Sequence, residues 1–222
     1  MFNDRGSNIS ASSVLHRIGY GRNDQPSGRV VTLLDDYLEN AHHLVGPEYA
    51  YVIRNVIAVS GDQITIDGPV TFTSKNLARL LGNCEAVAVY AATIGVYLEE
   101  TVESLSGDGL MLQASVLDAI GSSAVERVAG MVEDRVRLTA RLRGLKISLR
   151  FSPGYCDWDI SDQASLFHAL RDETLDITLT DSFLMLPRKS TSGIIGLGAG
   201  SEVTDYNPCR TCTQKSCDGR RK

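Results

Sequence analysis

The apolar positions of the chain follow two spacings, one typical of helices and one typical of strands. Apolar residues three and four positions apart predict a helix over residues 30–43 and a much longer one over residues 110–143. Short runs rich in valine, isoleucine and alanine predict strands. The predicted strands cover 50–53, 56–59, 64–68, 86–92, 145–150, 177–180 and 194–197, and shorter helices cover 74–81, 95–104 and 162–170. Strands and helices in this order favour a single α+β domain.

The two ends of the chain differ from its middle. Residues 1–13 are polar and are predicted to be a flexible lead-in, and residues 14–205 to form the α+β domain. Residues 206–222 carry three cysteines and are predicted to be a short Cys-rich tail. We expect this tail to lie at a distance from the motifs described below.

Composition narrows the class of protein. Of the 222 residues, 43% are hydrophobic and 22% charged, which is typical of an ordinary soluble domain. The net charge of −5 argues against a nucleic-acid-binding surface, which is normally basic. No run approaches the roughly 20 apolar residues that span a bilayer, and the N-terminus has no apolar signal region. These features predict a cytoplasmic protein without a membrane or nucleic-acid partner, with its five cysteines reduced.

Two motifs carry the chemistry of the chain. Residues 150–155 read R-F-S-P-G-Y, and residues 179–193 read L-T-D-S-F-L-M-L-P-R-K-S-T-S-G. Arg150 offers a planar, charged fork suited to a carboxylate, Pro153-Gly154 is a turn signal, and Tyr155 offers an aromatic face to a ring or a sulfonium. On residue chemistry alone, a surface turn with an ordinary Arg150 salt bridge and a core Tyr155 stays open.

The motifs together resemble the activation domain of cobalamin-dependent methionine synthase, which binds S-adenosylmethionine (AdoMet). The shared pattern is R-x-x-x-G-Y followed by L-T-x-S-x-x-M-x-P-x-x-S-x-S-G, and the resemblance covers roughly residues 110–197. It implies a mainly antiparallel sheet flanked by helices, with AdoMet in a shallow groove beside the first motif. It also implies that the domain supports reductive methylation of cob(II)alamin, with AdoMet as the methyl donor.

The resemblance also implies a set of AdoMet-binding residues. These are Glu126, Arg150, Ser152, Gly154, Tyr155, Ile195 and Gly196. Glu126 would lie near the amino group of the ligand, although a surface ion pair with a nearby arginine explains it equally well. The family has bulky aromatic residues where this chain has Ile195 and Gly196, which leaves main-chain contacts as their expected role.

The partners follow from the same resemblance. The chain shows no homocysteine, folate or corrinoid domain, so we expect a stand-alone protein that acts on cobalamin held by a separate methionine synthase or related corrinoid methyltransferase. An electron donor such as flavodoxin or ferredoxin would be needed. The alternatives are a non-enzymatic module that docks to a corrinoid protein or relays electrons, and an AdoMet sensor without a corrinoid partner.

The cysteines of the tail form a second chemical signal. Cys209-x-x-Cys212 followed by Cys217 has the close spacing with which thiolates hold zinc or an iron–sulfur cluster. A fourth ligand is needed, for which Cys156, Cys84 or a histidine are candidates. Free or reversibly paired thiols are the alternative. The spacing differs from the C-x-x-x-C-x-x-C of radical AdoMet enzymes, which disfavours radical chemistry.

Other motifs point to no further chemistry. The glycine-rich stretch 193–200 opens no predicted helix and is followed by no βαβ unit, so it fails as a dinucleotide-binding loop. The four histidines lack the context of a nucleophilic hydrolase. Asp157-Trp158-Asp159 either edges the ligand groove or forms a turn with one buried anchor.

Overall fold

A six-stranded antiparallel sheet is the centre of the fold. The computed structural model describes residues 9–21, 23–201, 203, 206–210, 212, 213 and 216. The strand order is β3-β2-β1-β4-β8-β5, and each neighbouring pair is antiparallel. The strands are β1 (Glu48–Ser60), β2 (Gln63–Ile66), β3 (Val70–Thr73), β4 (Ala86–Thr93), β5 (Lys146–Ile147) and β8 (Ser190–Gly198), and β6 (Thr178–Leu179) and β7 (Met185–Leu186) form a separate hairpin. The predicted α+β fold with a mainly antiparallel sheet is confirmed.

Helices cover both faces of this sheet. They are α1 (Ala11–Arg17), α2 (Gly28–Asn40), α3 (Lys75–Leu81), α4 (Tyr97–Gly107), α5 (Met111–Leu142) and α6 (Asp162–Ala169). Every residue of β4 is buried, and successive side chains of a strand point to opposite faces. Val87, Val89 and Ala91 accordingly pack in the cluster that includes α3 and α6, whereas Ala88 and Tyr90 pack against α5. The continuous apolar run of β4 is therefore explained by its central, two-sided burial.

Helix α5 covers almost the whole predicted stretch 110–143 without interruption. Gly121 lies inside this continuous helix. A Cβ at this position would lie 2.5 Å from a methyl carbon of Leu98 on α4, so the glycine allows the two helices to approach closely. Gly144 follows the end of α5 with a φ of +72°, as expected for a residue that terminates a helix.

Several elements differ from the prediction in extent. The two strands predicted over 50–53 and 56–59 are one continuous strand, β1. The strand predicted over 145–150 is reduced to Lys146–Ile147, because only these residues form a regular ladder with β8. The sequence did not predict α1, β3 or β7, which are short. Among the described helices, none combines the length and apolar character needed to cross a bilayer.

Asp157 fastens the turn after the first motif to the start of α3. Its carboxylate accepts hydrogen bonds from the Lys75 backbone N–H at 2.7 Å, from Asn76 Nδ2 at 2.6 Å and from Ser74 Oγ at 2.9 Å. Partial burial would raise the pKa of Asp157, but these hydrogen bonds outweigh it and leave the pKa below its ordinary value. The neighbouring Trp158 is 1% exposed. The Asp-Trp-Asp segment is thus a turn with a buried anchor.

Asp157→Ala should lower the free energy of unfolding by about 1 kcal/mol, the usual cost of a lost helix cap. The contribution of Asp157 should be complete above about pH 4, the ordinary pKa of an aspartate, and should disappear as the pH falls through its lowered folded pKa. Denaturant titrations at neutral and acidic pH measure both effects. Asp134→Ala, at an exposed position of α5, is the control. Equal losses in the two variants would contradict the capping role.

Candidate functional site

A groove of about 640 Å³ opens beside the R-F-S-P-G-Y turn. Its walls come from this turn, the start of β8, the β6–β7 hairpin and the middle of α5. The side chains that line it include Glu126, Arg150, Ser152, Tyr155, Ile160, Gln163, Leu184, Met185, Ser190 and Thr191. This volume lies within the range of small-molecule sites, and the lining mixes apolar surface with a few charged groups, as such sites do.

Pairing with β8 carries Arg150 to the groove. The Ser148 backbone N–H donates to the Gly196 carbonyl at 2.9 Å, and Phe151 and Ile194 exchange backbone hydrogen bonds of 3.0 and 2.8 Å. Residues 148–151 therefore follow β8 although they form no regular strand. Arg150 lies at the end of this segment, where the chain turns away from the sheet.

Gly193 allows the turn to lie directly against β8. A Cβ on Gly193 would lie 2.6 Å from the Phe151 carbonyl oxygen and 2.7 Å from Ser152 Oγ. Real Cβ atoms do not approach neighbours this closely, so no other residue fits here without displacing the turn. The glycine that closes the second motif is thus the contact point between the two motifs.

Side-chain hydrogen bonds fix the turn to the same strand. Ser152 Oγ donates to the Ser192 carbonyl at 2.6 Å, and Gln163 Nε2 on α6 donates to Ser192 Oγ, also at 2.6 Å. Gly154 has a φ of +86°, and its N–H donates to the Trp158 carbonyl at 2.8 Å. Tyr155 follows, with 48% of its surface exposed, at the wall of the groove.

Two carboxylates of α5 hold the Arg150 guanidinium. Its Nε lies 3.1 Å from Glu133 and its Nη2 lies 3.3 Å from Glu126. The side chain of Arg150 is 18% exposed and that of Glu126 is 51% exposed. Glu133 also pairs with Arg137 at 2.5 Å. Since Glu133 and Glu126 are seven residues apart on α5, they share one face of the helix, and the guanidinium bridges them.

The hydroxyl of Tyr90 completes this charged cluster. Burial raises the pKa of Tyr90, and its hydrogen bonds with Arg150 and Thr191 only partly oppose that effect. Burial would lower the pKa of Arg150, but Tyr90 and the two carboxylates outweigh it and leave that pKa above its ordinary value. Arg150 therefore stays charged at any physiological pH.

The structure brings most of the predicted site residues together. Glu126, Arg150, Ser152 and Tyr155 line the groove, and Gly154 shapes the turn behind it. Glu126 forms the surface ion pair with Arg150 and also lines the groove, so its contact with the amino group of a ligand stays a prediction.

Ile195 and Gly196 are placed elsewhere. Both are buried within the sheet and do not line the groove. The groove lies at the first residues of β8, Ser190 to Ser192, whereas Gly196 packs over Cys84 and Leu81 nearer the other end of the strand. Main-chain contacts of this pair with a ligand stay a prediction, and the residues of β8 that line the groove are 190–192.

Other lining residues were not predicted from the sequence. Ser190 and Thr191 belong to the second motif, so the motif itself was a usable signal. Tyr90 lies within an apolar strand, and Arg17 on α1 lies more than 100 residues before the first motif, so neither position gave a signal. Gln163 lies on α6, outside both motifs, so its position gave no signal either.

The described part of the tail lies against the groove, and the expectation that it lies at a distance is wrong. Cys209 and Cys156 both line the groove, and the Cys156 thiol hydrogen-bonds with Cys212. Partial burial, this hydrogen bond and electrostatic interactions with Cys212 and Cys209 raise the pKa of Cys156 to about 12. Cys217 lies outside the described residues. Within the described residues, no three His, Cys, Asp or Glu side chains are already arranged around a metal position, so the metal role of Cys209, Cys212 and Cys217 stays a prediction.

Comparison with known proteins bears on both the fold and the family. The family model described as vitamin B12 dependent methionine synthase, activation domain, matches residues 77–217. A crystal structure of the MetH reactivation domain bound to AdoHcy has a TM-score of 0.67 and is 17% identical in sequence, and the match covers 90% of this chain and 76% of that chain. At this identity the likeness shows a shared fold. No curated protein matches the chain.

Proposed function

The chain belongs to the family of the vitamin B12-dependent methionine synthase activation domain, and on this premise we propose that its groove binds AdoMet for the reductive methylation of cobalamin held by a separate corrinoid protein. The observation that carries the proposal is the Arg150–Glu126 ion pair at the wall of the groove. It offers a fixed cation and an accessible anion side by side. The amino-acid end of AdoMet carries the complementary pair, a carboxylate and an ammonium.

Bound AdoMet would replace the contact between Arg150 and Glu126 with one contact to each of them. Its carboxylate would take the guanidinium edge that now faces Glu126, and its ammonium would take the Glu126 carboxylate, which is half exposed. Glu133 would keep its contact with Arg150 Nε and so hold the fork in orientation. Because each charge gains a new partner as it loses the old one, neither is left buried and unpaired.

The rest of the groove suits the adenosine end. Tyr155 presents an aromatic face, and Ile160, Leu184 and Met185 add apolar surface nearby. Stacking on a tyrosine is worth about 1–3 kcal/mol per base. The hydroxyls of Ser190 and Thr191, which also line the groove, are hydrogen-bonding groups suited to the polar edges of a nucleoside.

The contribution of the chain would be placement. Reduced cobalamin, when its carrier presents it, supplies the nucleophile that takes the methyl group of AdoMet. Arg150 and Glu126 would fix one end of AdoMet and Tyr155 the other, so that the sulfonium between them faces the open side of the groove. Holding the methyl group in line in this way removes much of the entropic barrier. No side chain of the groove needs to transfer a proton.

The rim of the groove suits a large apolar partner. Tyr155, Ile160, Leu184 and Leu186 are between 37% and 59% exposed. Exposed apolar residues gathered around a binding groove are a mark of an interaction site. We propose that a corrinoid protein docks here and that an electron donor such as flavodoxin or ferredoxin reduces the cobalt while it is docked.

Methyl transfer to a corrinoid protein tests this function. The protein would be mixed with a corrinoid methyltransferase that lacks an activation domain, AdoMet and an electron donor, and absorbance would follow the decay of cobalt(II) and the formation of methylcobalamin. We expect a clear acceleration over the mixture without the protein. Tyr155→Ala should reduce it by roughly tenfold or more, the loss of one stacking contact.

The control is Glu103→Ala, at an exposed position of α4 that does not line the groove. It should accelerate methylation as the unchanged protein does. Binding of the corrinoid protein without any acceleration would instead support a non-enzymatic docking module. Binding of AdoMet without any affinity for corrinoid proteins would support a sensor.

A further inference from the structure

The tail is anchored on α3 before it reaches the groove. Val203 is 1% exposed and belongs to the core cluster that contains α3. The Tyr206 hydroxyl donates to Asn76 Oδ1 at 2.7 Å, and the Arg79 guanidinium lies 6.0 Å from the centre of the Tyr206 ring. These contacts fix the direction in which the chain continues.

The residues that follow bring two thiols to the rim of the groove. Asn207 and Pro208 are buried, and the Cys209 N–H donates to Asn207 Oδ1 at 3.0 Å. Pro208 and Cys209 line the groove, and Cys212 reaches the Cys156 thiol. A C-x-x-C segment therefore faces a third cysteine that lies more than 50 residues earlier in the chain.

The backbone at Cys156 is unusual for a cysteine. Its φ of 54° lies in the left-handed region, which glycine adopts without cost. A non-glycine residue there costs about 1–3 kcal/mol, and such residues cluster at functional sites. In this conformation the Cys156 thiol contacts Cys212 and lies within electrostatic reach of Cys209.

Cys84 was also a candidate metal ligand in the sequence, but it does not line the groove. It is buried in the core beneath Gly196, and its thiol donates to the Leu80 carbonyl at 3.6 Å. Burial raises the pKa of Cys84 to about 12. A buried thiol of this kind is a structural residue.

We propose that Cys156, Cys209 and Cys212 bind a metal centre of the thiolate class, either zinc or an iron–sulfur cluster, at the rim of the groove. In the described residues these thiols gather without yet surrounding a common point. A bound cation would complete the arrangement, since it offsets the mutual repulsion of thiolates, and the thiols would release their protons to solvent on binding. The centre would fasten the tail to the turn that carries Arg150 and Tyr155. This proposal does not depend on AdoMet binding.

Metal analysis of the full chain purified without oxygen tests the proposal. We expect close to one zinc per chain, or iron and sulfide with the visible absorbance of a cluster. Cys156→Ser should lower the metal affinity at least about tenfold, because even residues that only support a ligand cost that much. Cys84→Ala is the matched control and should keep the metal.

A second measurement covers the case in which Cys156→Ser does not fold. In the unchanged protein, Cys156, Cys209 and Cys212 should resist alkylation until a chelator is added, as peptide mass mapping would show. Two results would overturn the proposal. One is a protein that takes up neither zinc nor iron with sulfide, including a protein with a Cys156–Cys212 disulfide instead. The other is full metal content in folded Cys156→Ser.

Discussion

Replacing Arg150 with alanine should weaken AdoMet binding by about 2–4 kcal/mol, which is roughly 30-fold to 1,000-fold in Kd. The guanidinium is 18% exposed and held by Glu133 and Glu126, so its pairing with a ligand carboxylate would be largely desolvated. Without it, the ligand carboxylate would face two glutamates with no cation between them. Isothermal titration calorimetry with AdoMet measures the change.

Two further variants sharpen this test. Arg150→Lys should recover only part of the affinity, because an ammonium cannot contact Glu133 and a carboxylate with a planar fork. Arg135→Ala, at an exposed position of α5 that does not line the groove, should bind as the unchanged protein does. Melting temperatures would show whether Arg150→Ala remains folded. Unchanged affinity in a folded Arg150→Ala variant would remove Arg150 from the site.

Gly193→Ala should both destabilise the protein and close the groove to its ligand. The added methyl group would lie 2.6 Å from the Phe151 carbonyl oxygen, which is backbone, and 2.7 Å from Ser152 Oγ, which is held by its hydrogen bond to the Ser192 carbonyl. Overpacking of this kind costs about 1–3 kcal/mol of folding free energy. Because the turn carrying Arg150 and Tyr155 must move away from β8, we also expect a roughly tenfold loss of AdoMet affinity, about the cost of losing one stacking contact on Tyr155.

Gly130→Ala is the matched control for this substitution. Gly130 lies in α5, and a Cβ there would meet no atom within 4 Å. Alanine should stabilise the helix by about 0.5–1 kcal/mol and leave binding unchanged. Denaturant titration and calorimetry of the two variants give both quantities. A Gly193→Ala protein with unchanged stability and affinity would show that the turn does not depend on close packing against β8.

The long elements of the fold follow from local patterns. Helix α5, helix α2 and strand β4 are long and strongly periodic or continuously apolar, and their positions were predicted within a few residues. The helix predicted over 74–81 is α3, and its cap, in which Ser74 accepts a hydrogen bond from the Leu77 N–H, likewise depends on neighbouring residues only. Strands β3 and β7 were missed because a short strand is stabilised by its partner in the sheet and not by its own sequence.

In the site, too, the residues within one motif could be predicted, whereas contacts between distant parts of the chain could not. Arg150, Ser152 and Tyr155 lie within one motif, and their shared position at the groove follows from that motif. Ile195 and Gly196 lie outside the groove because of register: the groove is lined by the first residues of β8, and only the pairing of residues 148–151 with the strand shows this. The meeting of Cys156 with the tail depends on the anchoring of Tyr206 to Asn76, a contact between residues 130 positions apart that no local pattern encodes.

Calorimetric titration of the purified protein with AdoMet tests the central claim most directly. The account predicts saturable binding at one site per chain, with S-adenosylhomocysteine competing for the same site, because the two ligands share the amino-acid and adenosine ends that Arg150, Glu126 and Tyr155 would contact. A folded protein that releases no heat with AdoMet, and whose melting temperature AdoMet leaves unchanged, would contradict it.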